Sequence, residues 1–432
     1  MTAPRNTGLG LRYEDGVMVQ DAVAPGLAKL RPLNPLKPGV FPVYGDLPNR
    51  LLKPAEPFGN GGTHPDRTVA HTLATCAGYA YSDAETVSTM MTRMGLENNR
   101  CRMIGEYVDA MFIMSTAFLV QSEDGRVVIL AYRGTQPANV ISWLTDADLY
   151  PTKVGFQIGG TGPYDVHGGF YRNVRATRYK VTEALLRAKQ GIPVTAPPGE
   201  TQAELKPMEA LYVTGHSLGA AMAAIQSILL TTEPRQQENF GKALRATYTF
   251  GQPMVGSPKL AAACNADPFL GTNVIRYIYQ KDPVPHLPPH DTGKFANFGR
   301  EYQFRENTWH AQKEDGQAGQ MHYGLELVGA GLAFVARLLP ELRGLPTEYQ
   351  PDDHGPQHYI AALTPPGVVT EFGDYKYTSP GDQRSVQDTS NGHRNRFGDL
   401  IELGSHAVGE LTEFGREIFR RRPHVPPRPH VP

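Results

Sequence analysis

Residues 211–224 read LYVTGHSLGAAMAA, an apolar run that ends on a serine held between two glycines and leads into a run of alanines. This stretch constrains the fold more than any other. A serine in Gly-x-Ser-x-Gly, preceded by a strand and followed by a helix, takes a sharp, strained turn between the two elements. Neighbours on both sides must then lack bulk, and Gly215, Gly219 and Ala220 meet that need. The helix that follows aims its amide dipoles at Ser217, and the Leu218 N–H becomes a donor to an anion developing there. The pentapeptide by itself also describes a tight turn with a capping serine. The apolar run before it and the helix signal after it favour the nucleophile elbow.

Strand and helix signals alternate around this turn. Apolar residues recur at helical spacing from His71, and AMFIMSTAFLVQSEDGRVVILAYRGT reads as two strands joined at Glu123, Asp124 and Gly125. A Trp-containing segment (ISWLTDADL) follows, then a helix over residues 170–189, a strand over 210–214 and a helix from Ser217. The strand RATYTFG, a helix near Pro258, the strand VIRYIYQ and a helix over about residues 323–342 complete the pattern. This predicts an α/β fold with a central, mostly parallel sheet flanked by helices and ligand-binding loops at the carboxyl ends of its strands. Residues 1–65 are rich in Pro and Gly and read as an extended arm, and 66–365 as the catalytic domain. Residues 366–432 read as a flexible connector, an amphipathic helix ending in Arg420, Arg421 and Arg422, and a Pro-rich tail.

A serine nucleophile needs a base and an orienting acid, and after such an elbow they follow in the order Ser, Asp, His. Asp282 ends the run VIRYIYQ in KDPVPHLPP, where Pro283 stops the ladder and leaves the carboxylate on a loop. Asp267 and Asp291 lack such a strand in front of them. Among 14 histidines, His354 in QPDDHGPQHYIAAL and His322 in GQMHYGLEL are the candidates for the base, and spacing does not decide between them. His286 and His290 lie too near Asp282 in a Pro-rich loop and read as structural.

Lys and Arg number 42 against 43 Asp and Glu, so the net charge of −1 implies no polyanionic partner and no nucleic acid. The three cysteines, Cys76, Cys101 and Cys264, form neither a disulfide framework nor a zinc pattern. Asp146 and Asp148 lack a third ligand at metal spacing, so no metal is expected, and the chemistry asks for no organic cofactor. The start has no signal-like apolar core, and no run reaches the roughly 18 apolar residues of a membrane span. The expected setting is therefore cytoplasmic or non-classically exported. Nothing in the sequence sets an oligomeric state.

Taken in order, AYRGT (131–135), VHGGF (166–170), VTGHSLGAAMA, TFGQPMVGSPKLA and DPVPHLPP resemble the class 3 (fungal-type) lipases of the α/β-hydrolase superfamily, across about residues 70–363. The resemblance implies an α/β-hydrolase fold with Ser217 as nucleophile and Asp282 as acid. It also selects His354 as base, because DHGPQHYI fits the family's late D-H-x-x-x-x-Y-[IV] segment. In the family's earlier F-x-H-x-G-x-E segment, FANFGREYQF carries Asn297 where the family has a non-catalytic histidine. By the same resemblance Thr135 joins Leu218 in the oxyanion hole, His167 is structural, and Trp143 and Leu144 lie where the family carries a lid. The implied activity is hydrolysis of acylglycerol or related lipid esters, or of small esters, with peripheral contact at a lipid interface. A membrane-surface phospholipase A1 or acyltransferase, and a lipase-like scaffold whose tails bind partners, are the alternatives. The arm, the tail and an insertion between Asp282 and His354 holding LELVGAGLAFVARLLPEL depart from the compact family pattern.

Overall fold

VVILAY (residues 127–132) and ALYVTGH (210–216) are buried at every position. Strands that are apolar throughout are stable only when helices cover both faces of their sheet, and this requirement organises the molecule. The computed structural model describes residues 11–14, 17–20, 41–53, 65–108, 113–134, 151–197, 199, 201–287, 295–311, 351–366 and 368. All of these belong to one compact unit, Met1–Val335 with Leu345–Tyr377.

In chain order the strands are β1 (Leu11–Glu14), β2 (Val17–Gln20), β3 (Arg100–Val108), β4 (Ile113–Gln121), β5 (Val127–Tyr132), β6 (Pro151–Val154), β7 (Tyr164–His167), β8 (Ala210–His216), β9 (Leu244–Phe250), β10 (Val274–Tyr279), β11 (Arg300–Arg305) and β12 (Thr308–Ala311). The helices are α1 (Leu47–Leu52), α2 (Arg67–Tyr79), α3 (Ala84–Met94), α4 (Gly168–Lys189), α5 (Leu218–Thr232), α6 (Pro234–Phe240), α7 (Pro258–Ala266), α8 (Leu270–Asn273) and α9 (Pro356–Leu363). Among the described residues, eight strands form one sheet in the order β12-β11-β10-β9-β8-β5-β4-β3. Its middle, β5, β8, β9, β10 and β11, is parallel, with antiparallel β4 and β3 at one edge and β12 at the other.

Side chains alternate across β5 and β8 and build two cores. Val128, Leu130, Leu211 and Val213 pack with Val174 and Val181 of α4 and Ile225 and Ile228 of α5. On the other face Val127, Ile129, Ala131 and Tyr212 meet Leu73 of α2, Met91 of α3 and Ile360 of α9. Each fully buried Leu or Ile contributes ~2 kcal/mol. This is an α/β architecture, with a mostly parallel sheet between helical layers.

Several expected elements shift for identifiable reasons. The helix expected from His71 begins at Arg67, because the Asp66 carboxylate accepts the N–H groups of Thr68 and Val69 at 2.8 and 3.3 Å. A second helix starts where Asp83 accepts from Thr86 N–H at 2.7 Å. Residues 47–52, read as part of an extended arm, form α1 and bury Leu47 and Leu51 in the core. The sequence pattern does not predict the edge strand β3 or β11, which lies next to the other edge, because polar residues interrupt RCRMIGEYV and REYQFR, as is usual toward sheet edges. The helix expected over 323–342 and everything expected beyond residue 368 lie outside the described residues. All three cysteines are free thiols.

Candidate active site

β8 delivers Ser217 to the head of α5 with φ 59° and ψ −127°, a conformation that costs a non-glycine residue free energy. The flanking glycines are a matter of space. A Cβ on Gly215 would stand 2.2 Å from the Gly219 carbonyl oxygen, and one on Gly219 would stand 2.2 Å from the Tyr132 carbonyl oxygen. Strand, turn and helix therefore meet backbone to backbone. Ser217 N–H donates to the Phe250 carbonyl at 3.0 Å, which ties the elbow to β9. Leu218 is the first residue of α5, so its N–H has no acceptor within the helix and is open to an anion beside Ser217.

Asp282 lies beyond the end of β10, where Pro283 turns the chain into a short 3-10 helix, Val284–His286. Its carboxylate is fully buried and accepts from three donors. Val284 N–H reaches Oδ1 at 2.9 Å, the Tyr359 hydroxyl donates to Oδ2, and His354 Nδ1 stands 2.9 Å from Oδ2 and 3.1 Å from Oδ1. Burial works to raise the Asp282 pKa, but His354 beside it and the hydrogen bonds from His354, Tyr359 and Val284 hold it below its ordinary value. Desolvation and the adjacent carboxylate push the Tyr359 hydroxyl well up, so it stays protonated and donates. Gly251, at φ +58°, closes against this pair: a Cβ there would lie 2.8 Å from Asp282 Oδ2 and 2.9 Å from His354 Nδ1. Only a glycine both adopts that backbone and leaves room for the imidazole and carboxylate.

The structure thus brings Asp282 and His354 into contact, and the His354 ring sits beside that of His216, the residue immediately before Ser217. Ser217 Oγ and His354 Nε2 are both buried and make no hydrogen bond among the described residues. Leu218 sits at the elbow as expected. Thr135, Trp143, Leu144 and the alternative base His322 lie outside the described residues, as do Asp146, Asp148, His290 and Asp291. Asp267 instead caps α8, accepting from Phe269 and Leu270 N–H at 2.9 and 2.8 Å. His167 stacks on Phe170 with ring centroids 4.1 Å apart. Asn297 braces the loop after Asp282, its Nδ2 donating to the Pro285 carbonyl at 3.0 Å. Sequence reasoning missed Tyr359 and Gly251 although both stand inside segments already singled out. A polar residue on the first turns of α9 and a glycine directly after β9 were the available signals.

The helix behind His354 is fastened from a distance. Arg67 of α2 donates to the carbonyls of Ala362, Leu363 and Thr364 at 3.2, 3.0 and 2.9 Å, placing a cation on the C-terminus of α9. Trp309 Nε1 donates to the Ala362 carbonyl at 3.1 Å. His71 bridges the Tyr44 hydroxyl at 2.9 Å and the Thr364 hydroxyl at 3.2 Å. Burial, with Arg67 nearby, lowers the His71 pKa to about 3. Acid therefore protonates the unfolded chain first: the stability His71 contributes is complete above about pH 6.5 and is lost as pH falls toward about 3. From pH 7 to pH 5 the loss is about 2 kcal/mol, and buried His216 acts in the same direction. Urea unfolding at the two pH values should show the fall, and His71→Gln should flatten it. An equally steep fall in the variant would remove His71 as its cause.

Among the described residues no group of three or more His, Cys, Asp or Glu is arranged to hold a metal ion, and no helix is long and apolar enough to cross a membrane. Comparison with known proteins gives a consistent picture. Residues 129–292 match the family described as Lipase (class 3). The chain is 26% identical over 301 residues to triacylglycerol lipase OBL1 of Arabidopsis thaliana, covering 65% of this chain and 56% of that protein. It is 27% identical over 183 residues to the secreted mono- and diacylglycerol lipase A of Penicillium cyclopium, covering 42% of this chain and 50% of the relative. The chain thus spans about half the length of these curated relatives. A solved structure of Rhizomucor miehei triacylglyceride lipase aligns at 18% identity with a TM-score of 0.43, over 71% of this chain and 93% of the other.

Proposed function

We propose that the chain, whose residues 129–292 match the class 3 lipase family, is a serine carboxylic-ester hydrolase of that kind. Its substrates are acylglycerols or related lipid esters, cleaved through an acyl-enzyme on Ser217. The observation that carries the reading is the buried His354–Asp282 pair, 2.9 Å apart, packed behind a strained serine whose hydroxyl has no hydrogen-bond partner among the described residues.

In this mechanism His354 Nε2 takes the proton of Ser217 as Oγ attacks the ester carbonyl. The Asp282 carboxylate holds the proton on Nδ1, keeping Nε2 free to accept, and offsets the positive charge on the imidazolium. The tetrahedral anion rests on the N–H groups of Leu218 and Thr135. His354 returns its proton to the departing alcohol, and a water activated by the same nitrogen hydrolyses the acyl-enzyme. By the resemblance of their segment to the family's lid, Trp143 and Leu144 are the candidates for contact with a lipid interface. The catalytic domain spans residues 66–365, joined by α1 from the preceding segment.

A fluorophosphonate probe followed by peptide mass spectrometry should label Ser217. In parallel, p-nitrophenyl esters from acetate to oleate, a triacylglycerol emulsion and a phosphatidylcholine dispersion should be compared. Labelling with turnover of acylglycerol supports the proposal. Preference for the phospholipid would replace it by a phospholipase A1 reading, and absence of labelling would leave the scaffold reading.

A further inference from the structure

His216 is the last residue of β8 and the one immediately before Ser217, so whatever holds its ring also holds the elbow. The ring is buried and both nitrogens are engaged: Nε2 lies 2.7 Å from the backbone carbonyl oxygen of His354, and Nδ1 lies 2.9 Å from the Tyr81 hydroxyl. A carbonyl oxygen only accepts, so Nε2 carries the proton. Nδ1 then has only a lone pair to offer, and the Tyr81 hydroxyl must donate to it. The order of donation is fixed from Tyr81 through His216 to the backbone of His354.

Rings reinforce the chain of bonds. The His216 and His354 rings lie 4.5 Å apart between centroids with a tilt of 34°, and Tyr81 and Tyr359 meet His216 edge-on at 5.9 and 5.7 Å. Burial first, then proximity to His354, lowers the His216 pKa well below its ordinary value, against the opposing pull of Asp282 and the hydrogen bond to His354. The groups facing it are thus Tyr81 from the segment after α2, His354 and Tyr359 from the segment around α9, and Asp282 from beyond β10. Tyr81 reaches further into the site. Its hydroxyl oxygen stands 2.0 Å from where a Cβ on Gly134 would lie, beside the strand end that leads to Thr135. It also lies beside Ser217, whose side chain works against the upward push of burial on the Tyr81 pKa.

We propose that Tyr81 and His216 act as a positioning relay that seats His354 through its backbone carbonyl, fixing the distance between the base and the adjacent Ser217. This rests on the proposed ester-hydrolase reading of the same site. Neither residue takes the Ser217 proton, which passes to His354 Nε2. The relay sets the geometry in which a proton passes from Oγ to Nε2, and a displacement of ~1 Å there costs up to ~100-fold in rate. It also joins the segment after α2 to the elbow, so the base is referenced to the same point of the fold as the nucleophile.

The test uses the full chain. In wild-type protein carrying 15N-labelled histidine, long-range proton–nitrogen spectra should show His216 as the neutral Nε2–H tautomer from pH 5 to pH 8. Tyr81→Phe and His216→Phe should each lower kcat for a short p-nitrophenyl ester by about 10- to 100-fold, with KM changed less than about threefold. His216→Gln should recover part of the loss, because its amide N–H can reach the His354 carbonyl. An Nδ1–H tautomer, a His216 that titrates in this range, or folded variants with unchanged kcat and pH–rate profile would overturn the relay. If His216→Phe fails to fold, the milder Tyr81→Phe and the wild-type spectra decide. Fluorophosphonate labelling of the wild type separates the two ideas: a labelled wild type with unaffected variants sinks the relay alone. An unlabelled wild type sinks the hydrolase reading, while the tautomer still decides the relay.

Discussion

Ser217→Ala is expected to lower turnover of p-nitrophenyl esters by a factor on the order of 10⁵–10⁶, with the fold retained. Loss of the nucleophile removes covalent catalysis altogether, leaving only what oxyanion donors and binding can achieve with water. Little structural penalty accompanies it. Ser217 Oγ makes no hydrogen bond among the described residues, so its removal strands no partner, and alanine carries the same cost at φ 59° as serine. Ser217→Gly sharpens the point, because glycine relieves the strained backbone and should raise stability by about 1 kcal/mol while remaining inactive. Ester hydrolysis and urea unfolding on the three proteins measure both effects. Residual activity of the alanine variant above about 1% of wild type would remove Ser217 as nucleophile.

The elbow was legible in the sequence because its requirement is local. Gly215, His216, Ser217, Leu218 and Gly219 are consecutive, and the strand before and helix after them announce themselves by composition. Asp282 was legible for a similar reason, standing between an apolar strand and a proline. His354 was not fixed by its surroundings, and the choice over His322 rested on the resemblance of a whole segment. What stayed hidden is what depends on distance along the chain. Tyr81 meets His216 across 135 residues, and Arg67 caps α9 across 295 to 297. No periodicity or turn signal encodes such a pairing. The edge strand β3 and the next-to-edge strand β11 were missed for the opposite reason, since their polar residues suit the periphery of the sheet and blur the alternation that marks a strand.

Asp282→Asn should lower kcat by about 10⁴ while leaving KM for a short ester nearly unchanged. Three donors converge on the carboxylate, and their geometry dictates how an amide must sit. Val284 N–H is 2.9 Å from Oδ1 and needs an oxygen there, which places the new NH₂ where Oδ2 was, 2.9 Å from His354 Nδ1. Facing a donor, Nδ1 must give up its proton and accept. The proton then resides on Nε2, the atom that has to receive it from Ser217, and the base is in the wrong tautomer before the reaction begins. The amide also removes the buried negative charge that offsets the imidazolium formed as Ser217 attacks. Tyr359 adapts by turning its hydroxyl, so folding survives the change. Histidine nitrogen spectra should show His354 converted to the Nε2–H form, in step with the lost turnover. A kcat within tenfold of wild type, or an unaltered tautomer, would place the orienting acid elsewhere.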